Sequence, residues 1–433
     1  MHTLAFLEPG HFHAALTLGA RHPRVREEIF VYAEPGAELD DFLALIEAFN
    51  ARAEAPTAWR AVVRAGDQPL ERLVAERPGD VVILAGRNDR KMTLMRRLHD
   101  AGLHVLADKP WLTGAAGLED LRHALSGGAL AVELMTGRHE VTSILMRKLA
   151  GEPDVLGDLD TKSGTPAIEI SGVHHLEKTV NGKPLRRPVW YFDVRAQGDG
   201  LADIPTHMVD QVQRVIAAAR PERGAAAALE LIAARTWATH VPRELFSRVT
   251  GRPAFPDDLD GLVRDDELAY RCNAELSFRS GDVAAALDTR WELSEPPGGG
   301  DTHRSAVHGT RAHIVVEQHA GTGFRRMLSI LPRRDESQVW ATLAKIAAEW
   351  QGDYPGLSLV ERGRGCEIQV PRGFDVGHER HFPLVLAEFL SLVERGLPPA
   401  RLNADTLAKY TLLARAAAGA PPPRQGTIPP RLR

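Results

Sequence analysis

Short apolar runs alternate with amphipathic segments of helical length over the first 150 residues of this chain. Few folds accept that pattern. Leu4–Leu7, Ile29–Ala33, Ala61–Val63, Val81–Ala85, His104–Ala107 and Leu130–Met135 read as strands. Ala14–Gly19, Glu38–Arg52, Leu70–Glu76, Arg90–Ala101, Leu118–Leu125 and Val141–Leu149 read as the intervening helices. In the second of these, Leu39, Phe42, Leu43, Ile46 and Phe49 fall on one face. Strands separated by helices of this length build βαβ units and hence a parallel sheet. Val81-Val-Ile-Leu84, apolar without alternation, suits a sheet covered on both faces.

Past residue 155 or so the character changes. Ala227–Val241, Glu267–Phe278, Val283–Glu292, Ala312–Gln318 and Phe324–Leu331 are strand-like and are separated by Gly and Pro turns. They predict a mostly antiparallel sheet, with helices at Ser337–Trp350, Pro383–Arg395 and Ala404–Ala418. The expected organisation is an α/β domain over residues 1–150, an α+β domain over 151–420 and a disordered tail over 421–433. At 433 residues the chain is too long for one ordinary core, in keeping with two domains or three.

The first strand runs into Glu8-Pro-Gly10-His11-Phe12-His13 and then an apolar helix. A strand, a Gly turn and a helix start is how a Rossmann domain offers backbone N–H groups to a diphosphate. Glu8 and His13 take the outer positions of the usual three-glycine turn, and only Gly10 remains. Glu34 closes the second strand about one βαβ spacing later, where a carboxylate can accept from adenosine ribose hydroxyls. Its charge would repel a 2′-phosphate, so NAD is expected over NADP.

His104-Val-Leu-Ala-Asp108-Lys109-Pro110 places an acid, a lysine and a proline at the carboxyl end of a parallel strand, the edge where open α/β sheets bind ligands. Ala101–Pro110 resembles the "aGkHVlxEKP" signature of the glucose–fructose oxidoreductase and inositol dehydrogenase family (Gfo/Idh/MocA), with Asp108 in place of Glu. Val82-Ile-Leu-Ala-Gly86-Arg-Asn88 is similar to the family's preceding strand, where members read "atpn". Asp203-Ile-Pro-Thr-His207-Met-Val-Asp210 resembles the family's D-x-x-x-H segment. Independently of any family, positions i, i+4 and i+7 share a helix face, so Asp203, His207 and Asp210 can line one wall. A histidine there can exchange a proton that an aspartate orients.

The resemblance is closest to a branch with a distinct C-terminal domain, which carries a similar Pro-Gly-His-Phe-His-Ala-Ala-Leu turn and segments like Arg187–Asp193 and Gly300–His303. It implies an NAD-dependent oxidoreductase acting on a sugar, polyol or sugar derivative, working as a homo-oligomer. Lys109, His207 and Asp203 would be catalytic; Gly10, His11, Phe12, Glu34, Gly86, Asn88, Asp108, Lys109 and Pro110 would hold NAD. Arg138, His174, His175 and His303 are candidates for the substrate side, with His174-His175 in the loop-like stretch Ser171–Glu177. Some relatives are redox glycosidases that keep NAD bound, oxidise a ring hydroxyl transiently and eliminate a glycosidic bond, and that outcome stays open.

Two readings from other classes compete. His11-Phe-His13 after a first strand is the H-x-H that opens amidohydrolase barrels, but eight alternating βα units are not there. The altered glycine turn suggests a nucleotide sensor without catalysis, for which Lys109 and His207 would have no use. Gly377-His378-Glu379-Arg380-His381 is not H-E-x-x-H, and no metal site is assigned. A net charge of −4 and scattered arginines argue against nucleic acid. Two distant cysteines, Cys272 and Cys366, make no disulfide framework and suit a reducing cytoplasm. No basic n-region with an apolar run opens the chain, and no stretch approaches the roughly 20 apolar residues of a membrane span.

Overall fold

The computed structural model describes residues 1–180, 183–221, 228–396 and 400–419. The N-terminal elements are β1 (Leu4–Leu7), α1 (His13–Leu16), β2 (Glu28–Ala33), α2 (Ala37–Asn50), β3 (Arg60–Ala65), α3 (Pro69–Glu76), β4 (Val81–Leu84), α4 (Lys91–Asp100), β5 (His104–Asp108), α5 (Leu118–Ala124), β6 (Ala131–Leu134) and α6 (Val141–Ala150). The six strands form a wholly parallel sheet in the order β3-β2-β1-β4-β5-β6. β1, β4 and β6 are buried at every residue, as continuous apolar runs in a doubly covered sheet should be. The strand order reverses between β1 and β4, and the chain leaves both strands at the same edge.

The remaining elements are β7 (Ile168–Glu177), β8 (Thr179–Val180), β9 (Lys183–Pro184), α7 (Val194–Gln197), α8 (Ile204–Ala219), β10 (Leu229–Pro242), α9 (Arg243–Thr250), β11 (Val263–Arg264), β12 (Glu267–Ser280), β13 (Val283–Ser294), β14 (Thr302–His308), β15 (Ala312–Gln318), β16 (Met327–Pro332), α10 (Glu336–Glu349), β17 (Ser358–Arg362), β18 (Gly365–Gln369), α11 (His381–Arg395) and α12 (Ala400–Gly419). Ten strands make a second sheet, ordered β10-β12-β13-β7-β14-β15-β16-β18-β17 with β11 beside β12. All its pairings are antiparallel except β13 with β7.

Several local expectations change. Ser171–Glu177 is not a loop: it lies inside β7, which bonds β13 on one side and β14 on the other. Pairing on both edges satisfies its backbone whatever its side chains, and Gly172 admits the Thr302 carbonyl, which would stand 3.2 Å from a Cβ there. The first helix closes after one turn, because the N–H groups of Leu18 and Gly19 bond three residues back, to Ala15 and Leu16. Phe324 takes a left-handed φ of 55°, so the strand expected from that residue starts at Met327. The expected tail over 421–433 and Ala227 lie outside the described residues.

Helix α11 leaves the second half of the chain and packs on the parallel sheet. Phe382, Val385, Leu386, Phe389 and Leu390 join Leu4, Phe6, Val31 and Ile83 in one buried cluster. The opposite face of that sheet shares a second cluster with α4, α6, α8 and the large sheet. Among the described residues no helix is long and apolar enough to cross a membrane.

Candidate functional site

The turn after β1 is tight. Glu8 adopts φ 45°, Gly10 N–H donates to the Glu8 carbonyl at 2.7 Å, and His11 N–H donates to the Ala85 carbonyl at 3.0 Å. Gly86, just past β4, approaches so closely that a Cβ on it would stand 2.3 Å from the Glu8 carbonyl oxygen. The Glu38 carboxylate lies over Gly10, within 2.1 Å of where a Cβ would be, and accepts from the Trp190 indole N–H at 2.9 Å. Burial raises the Glu38 carboxyl above its ordinary range, against that hydrogen bond and the Arg87 charge. Glu34 is exposed just beyond β2.

At the end of β5, Asp108 is buried, and its carboxylate accepts from the Lys109 backbone N–H at 2.9 Å and from His13 Nδ1 at 2.9 Å. Lys91, fully buried on α4, ties this corner down: its ammonium donates to the Asp108 carbonyl at 2.7 Å, to the Pro110 carbonyl at 3.0 Å and to Asn88 Oδ1. Burial pushes that ammonium down to about 8, although the Asp108 charge opposes it. Asn88 in turn donates to the Gln197 carbonyl at 3.0 Å, linking the β4 loop to α7. A lysine inside an amphipathic helix carries no mark of burial, so the sequence reading missed Lys91.

Helix α8 begins after Asp203, with Pro205 in its first turn. Asp203 forms an ion pair with the Lys109 ammonium, the two side chains being 8% and 10% exposed. Tyr191, from the one-turn helix Val189–Phe192, donates its hydroxyl to Asp203 at 3.4 Å. Burial favours the protonated Asp203, but the Lys109 charge and hydrogen bond outweigh it and hold the carboxyl down to about 2. One helical turn on, burial and then the Lys109 charge push His207 down to about 3, so its imidazole is neutral at neutral pH. A neutral imidazole beside an ammonium–carboxylate pair can accept a proton from a hydroxyl that the ammonium holds.

These groups border a cavity of about 550 Å³ between the parallel sheet and the second domain. His11, Phe12, Gly86, Asn88, Asp108 and Lys109 line it from one side; Asp203 and His207 line it from α8. Arg138, His174 and His303 also face it, whereas Gly10, Glu34, Pro110 and His175 are not among its lining residues. Arg138 is committed to a two-pronged pair with Asp210 at 2.6 and 3.1 Å, so that carboxylate serves this ion pair at the cavity wall. His174 and His175 both bond Asp301, each at 3.1 Å, and Lys178 joins them at 2.6 Å. His303 bonds Ser305 Oγ at 2.7 Å, and burial holds it well below the usual histidine range. Tyr191, Lys178 and Asp301 escaped the sequence reading, because their significance lies in contacts between distant segments; His13 and His378, read there only within local motifs, also line the cavity.

Residues 145–420 match the family model described as "Putative oxidoreductase C terminal domain". None of the curated proteins matches the chain. Among solved structures, a "putative oxidoreductase" from Parabacteroides merdae ATCC 43184 is 36% identical, covers 97% of both chains and superposes with a TM-score of 0.91. Levoglucosan dehydrogenase, in complex with NADH and levoglucosan, is 15% identical over 96% of this chain and 97% of its own, with a TM-score of 0.59. KijD10, a 3-ketoreductase from Actinomadura kijaniata in complex with NADP, is 15% identical over 97% of each chain, with a TM-score of 0.55. At that identity the last two share the fold.

Proposed function

Because this chain belongs to the Gfo/Idh/MocA oxidoreductase family, in the branch that carries this C-terminal domain, we propose that it is an NAD-dependent oxidoreductase acting on a carbinol of a sugar, polyol or sugar derivative. The observation that carries the reading is the Lys109–Asp203 pair with neutral His207 one turn away, facing the cavity at the junction of the sheets. A dinucleotide at this edge is supported by the β1/β4 switch point and by Gly86, where any side chain would close the approach to the turn. Gly10, His11, Phe12, Gly86 and Asn88 would hold the dinucleotide, and Glu34 would accept from the adenosine ribose and disfavour a 2′-phosphate. Glu38 must swing off Gly10, since its carboxylate and a diphosphate repel at one position; it is the far end of a flexible side chain. Two of the fold's neighbours, levoglucosan dehydrogenase with NADH and KijD10 with NADP, support a nicotinamide dinucleotide.

Bound nicotinamide would supply hydride transfer to or from the carbinol carbon. Lys109 would hold the reacting hydroxyl, Asp203, itself held by the Tyr191 hydroxyl, fixes the Lys109 ammonium, and His207 Nδ1 or Nε2 would take or return the hydroxyl proton. The test is turnover of a panel of sugars and polyols with NAD, read as NADH absorbance. Lys109→Met and His207→Ala should each lose about 10²–10⁴-fold in kcat while NAD affinity stays within about threefold. Retention of wild-type rates in both variants would overturn the assignment. Free sugar from glycosides carrying solvent deuterium, with no growth of NADH, would replace net oxidation by redox-assisted bond cleavage.

A further inference from the structure

His11, His13 and Asp108 each bring one donor atom to a common point, and these atoms lie within 4.8 Å of one another. Asp108 ends β5, whereas His11 lies in the turn after β1 and His13 opens α1, so the β1 and β5 ends on either side of β4 bring them together. His11 Nδ1 and His13 Nδ1 both approach the same carboxylate oxygen, Asp108 Oδ2, at 3.3 and 2.9 Å. The His13 contact is a hydrogen bond, whereas His11 Nδ1 is buried without a hydrogen-bond partner. A neutral imidazole at that position either strands its proton or turns its lone pair on a carboxylate lone pair. Both are costly, and a cation drawn in by two nitrogens and an oxygen relieves either.

Two of the three donors are held in place by their neighbours. Asp108 Oδ1 is fixed by the Lys109 N–H and its carbonyl by Lys91, so the carboxylate cannot turn away. The His13 ring is wedged between Phe12 and Phe382, with centroids at 4.5 and 4.7 Å. His378, from the short helix His378–Arg380, stands 6.3 Å from the His13 ring and borders the same cavity.

We infer that His11, His13 and Asp108 bind a first-row divalent cation such as Zn²⁺, Co²⁺ or Fe²⁺, leaving a coordination position open to the cavity. Two imidazoles and one carboxylate form a borderline N₂O set, which favours these ions over Mg²⁺ or Ca²⁺. With Zn–N and Zn–O bonds of about 2.0–2.2 Å, donors on one tetrahedral ion stand roughly 3.3–3.5 Å apart, so the 3.3 and 2.9 Å separations from Asp108 Oδ2 need only a small spreading. The open position would take a hydroxyl or carbonyl oxygen of a ligand, or the imidazole of His378. This inference goes beyond the oxidoreductase reading and does not depend on NAD.

Chelator-treated protein, without nucleotide or substrate, is titrated with Co²⁺ and followed by visible absorption and equilibrium dialysis. The expected result is about one Co²⁺ per chain with a d–d spectrum, displaced by Zn²⁺ and unaffected by Mg²⁺. His11→Asn and Asp108→Asn should each weaken binding by more than about 100-fold, while His240→Asn, on an exposed histidine, changes nothing. Asp108→Asn disturbs a buried hydrogen bond and can unfold the corner; His11→Asn removes no hydrogen bond and keeps the test valid. Zn²⁺ should also raise the melting temperature of the wild type and not of His11→Asn. No stoichiometric binding in the wild type, or equal binding in His11→Asn, overturns the inference. Either result leaves NAD binding, measured separately, untouched as evidence on the oxidoreductase reading.

Discussion

Replacing Lys409 by methionine keeps the length of a side chain on α12 and removes its charge. In the native protein its ammonium bonds the Glu133 carboxylate on β6 and stands 3.7 Å from Asp210. The side chains of Lys409 and Glu133 are 1% and 0% exposed, so water cannot take over when the cation goes. Among the described residues Glu133 would keep the Tyr410 hydroxyl, whereas Asp210 retains Arg138 and Arg214. Removing one partner of a pair this buried costs about 3–5 kcal/mol. The double variant Lys409→Met with Glu133→Gln leaves no orphan charge and should recover all but about 1–2 kcal/mol, a coupling of at least about 2 kcal/mol. Two domains need not unfold together, so the readout is hydrogen exchange of the β6 amides alongside urea denaturation. A single variant costing less than about 1 kcal/mol, or additive effects in the double variant, would refute this account of the buried pair.

Glu34→Arg should narrow or reverse a preference for NAD over NADP of at least about tenfold, roughly 1.4 kcal/mol, by calorimetry; equal wild-type affinities would remove the role of Glu34. His207 is held at about 3 against an ordinary value of 6.5, so the unfolded chain takes up this proton first. Stability should therefore fall as pH drops from about 6.5 towards 3, by at most about 5 kcal/mol. His207→Asn should flatten that acid limb, and superimposable limbs would contradict it. Gly86→Ala places a methyl group 2.3 Å from a backbone oxygen and should cost about 1–3 kcal/mol and most of the dinucleotide affinity. Gly114→Ala, with nothing within 4 Å, serves as its neutral control in thermal melting.

The parallel half was legible because each strand is a short apolar run between turn residues, and doubly covered strands leave no alternation to misread. The junction was legible from Lys109, Asp203 and His207, whose spacings place them at a strand end and on one helix face. β7 was not, since Gly172 and the His174-His175 pair imitate a loop until neighbouring strands pair with it. Glu133 within Ala-Val-Glu-Leu was a readable signal, because an acid inside an apolar strand requires a buried partner. That the partner is Lys409 depends on a fold that joins residues 276 apart in sequence. In sequence His378 has only His381 as a near histidine, whereas in space its ring stands by His13.

Helix α11 has a consequence for how the protein is made. It supplies five large apolar side chains to the buried side of β1, β2 and β4, yet follows β6 by about 250 residues. A ribosome adding roughly 5–20 residues per second needs about 12–50 s to cover that distance. Throughout that interval the nascent parallel sheet shows a sticky, half-dressed face, the kind of exposed apolar surface that favours aggregation. The N-terminal layer is thus the first to be synthesised and among the last to be finished.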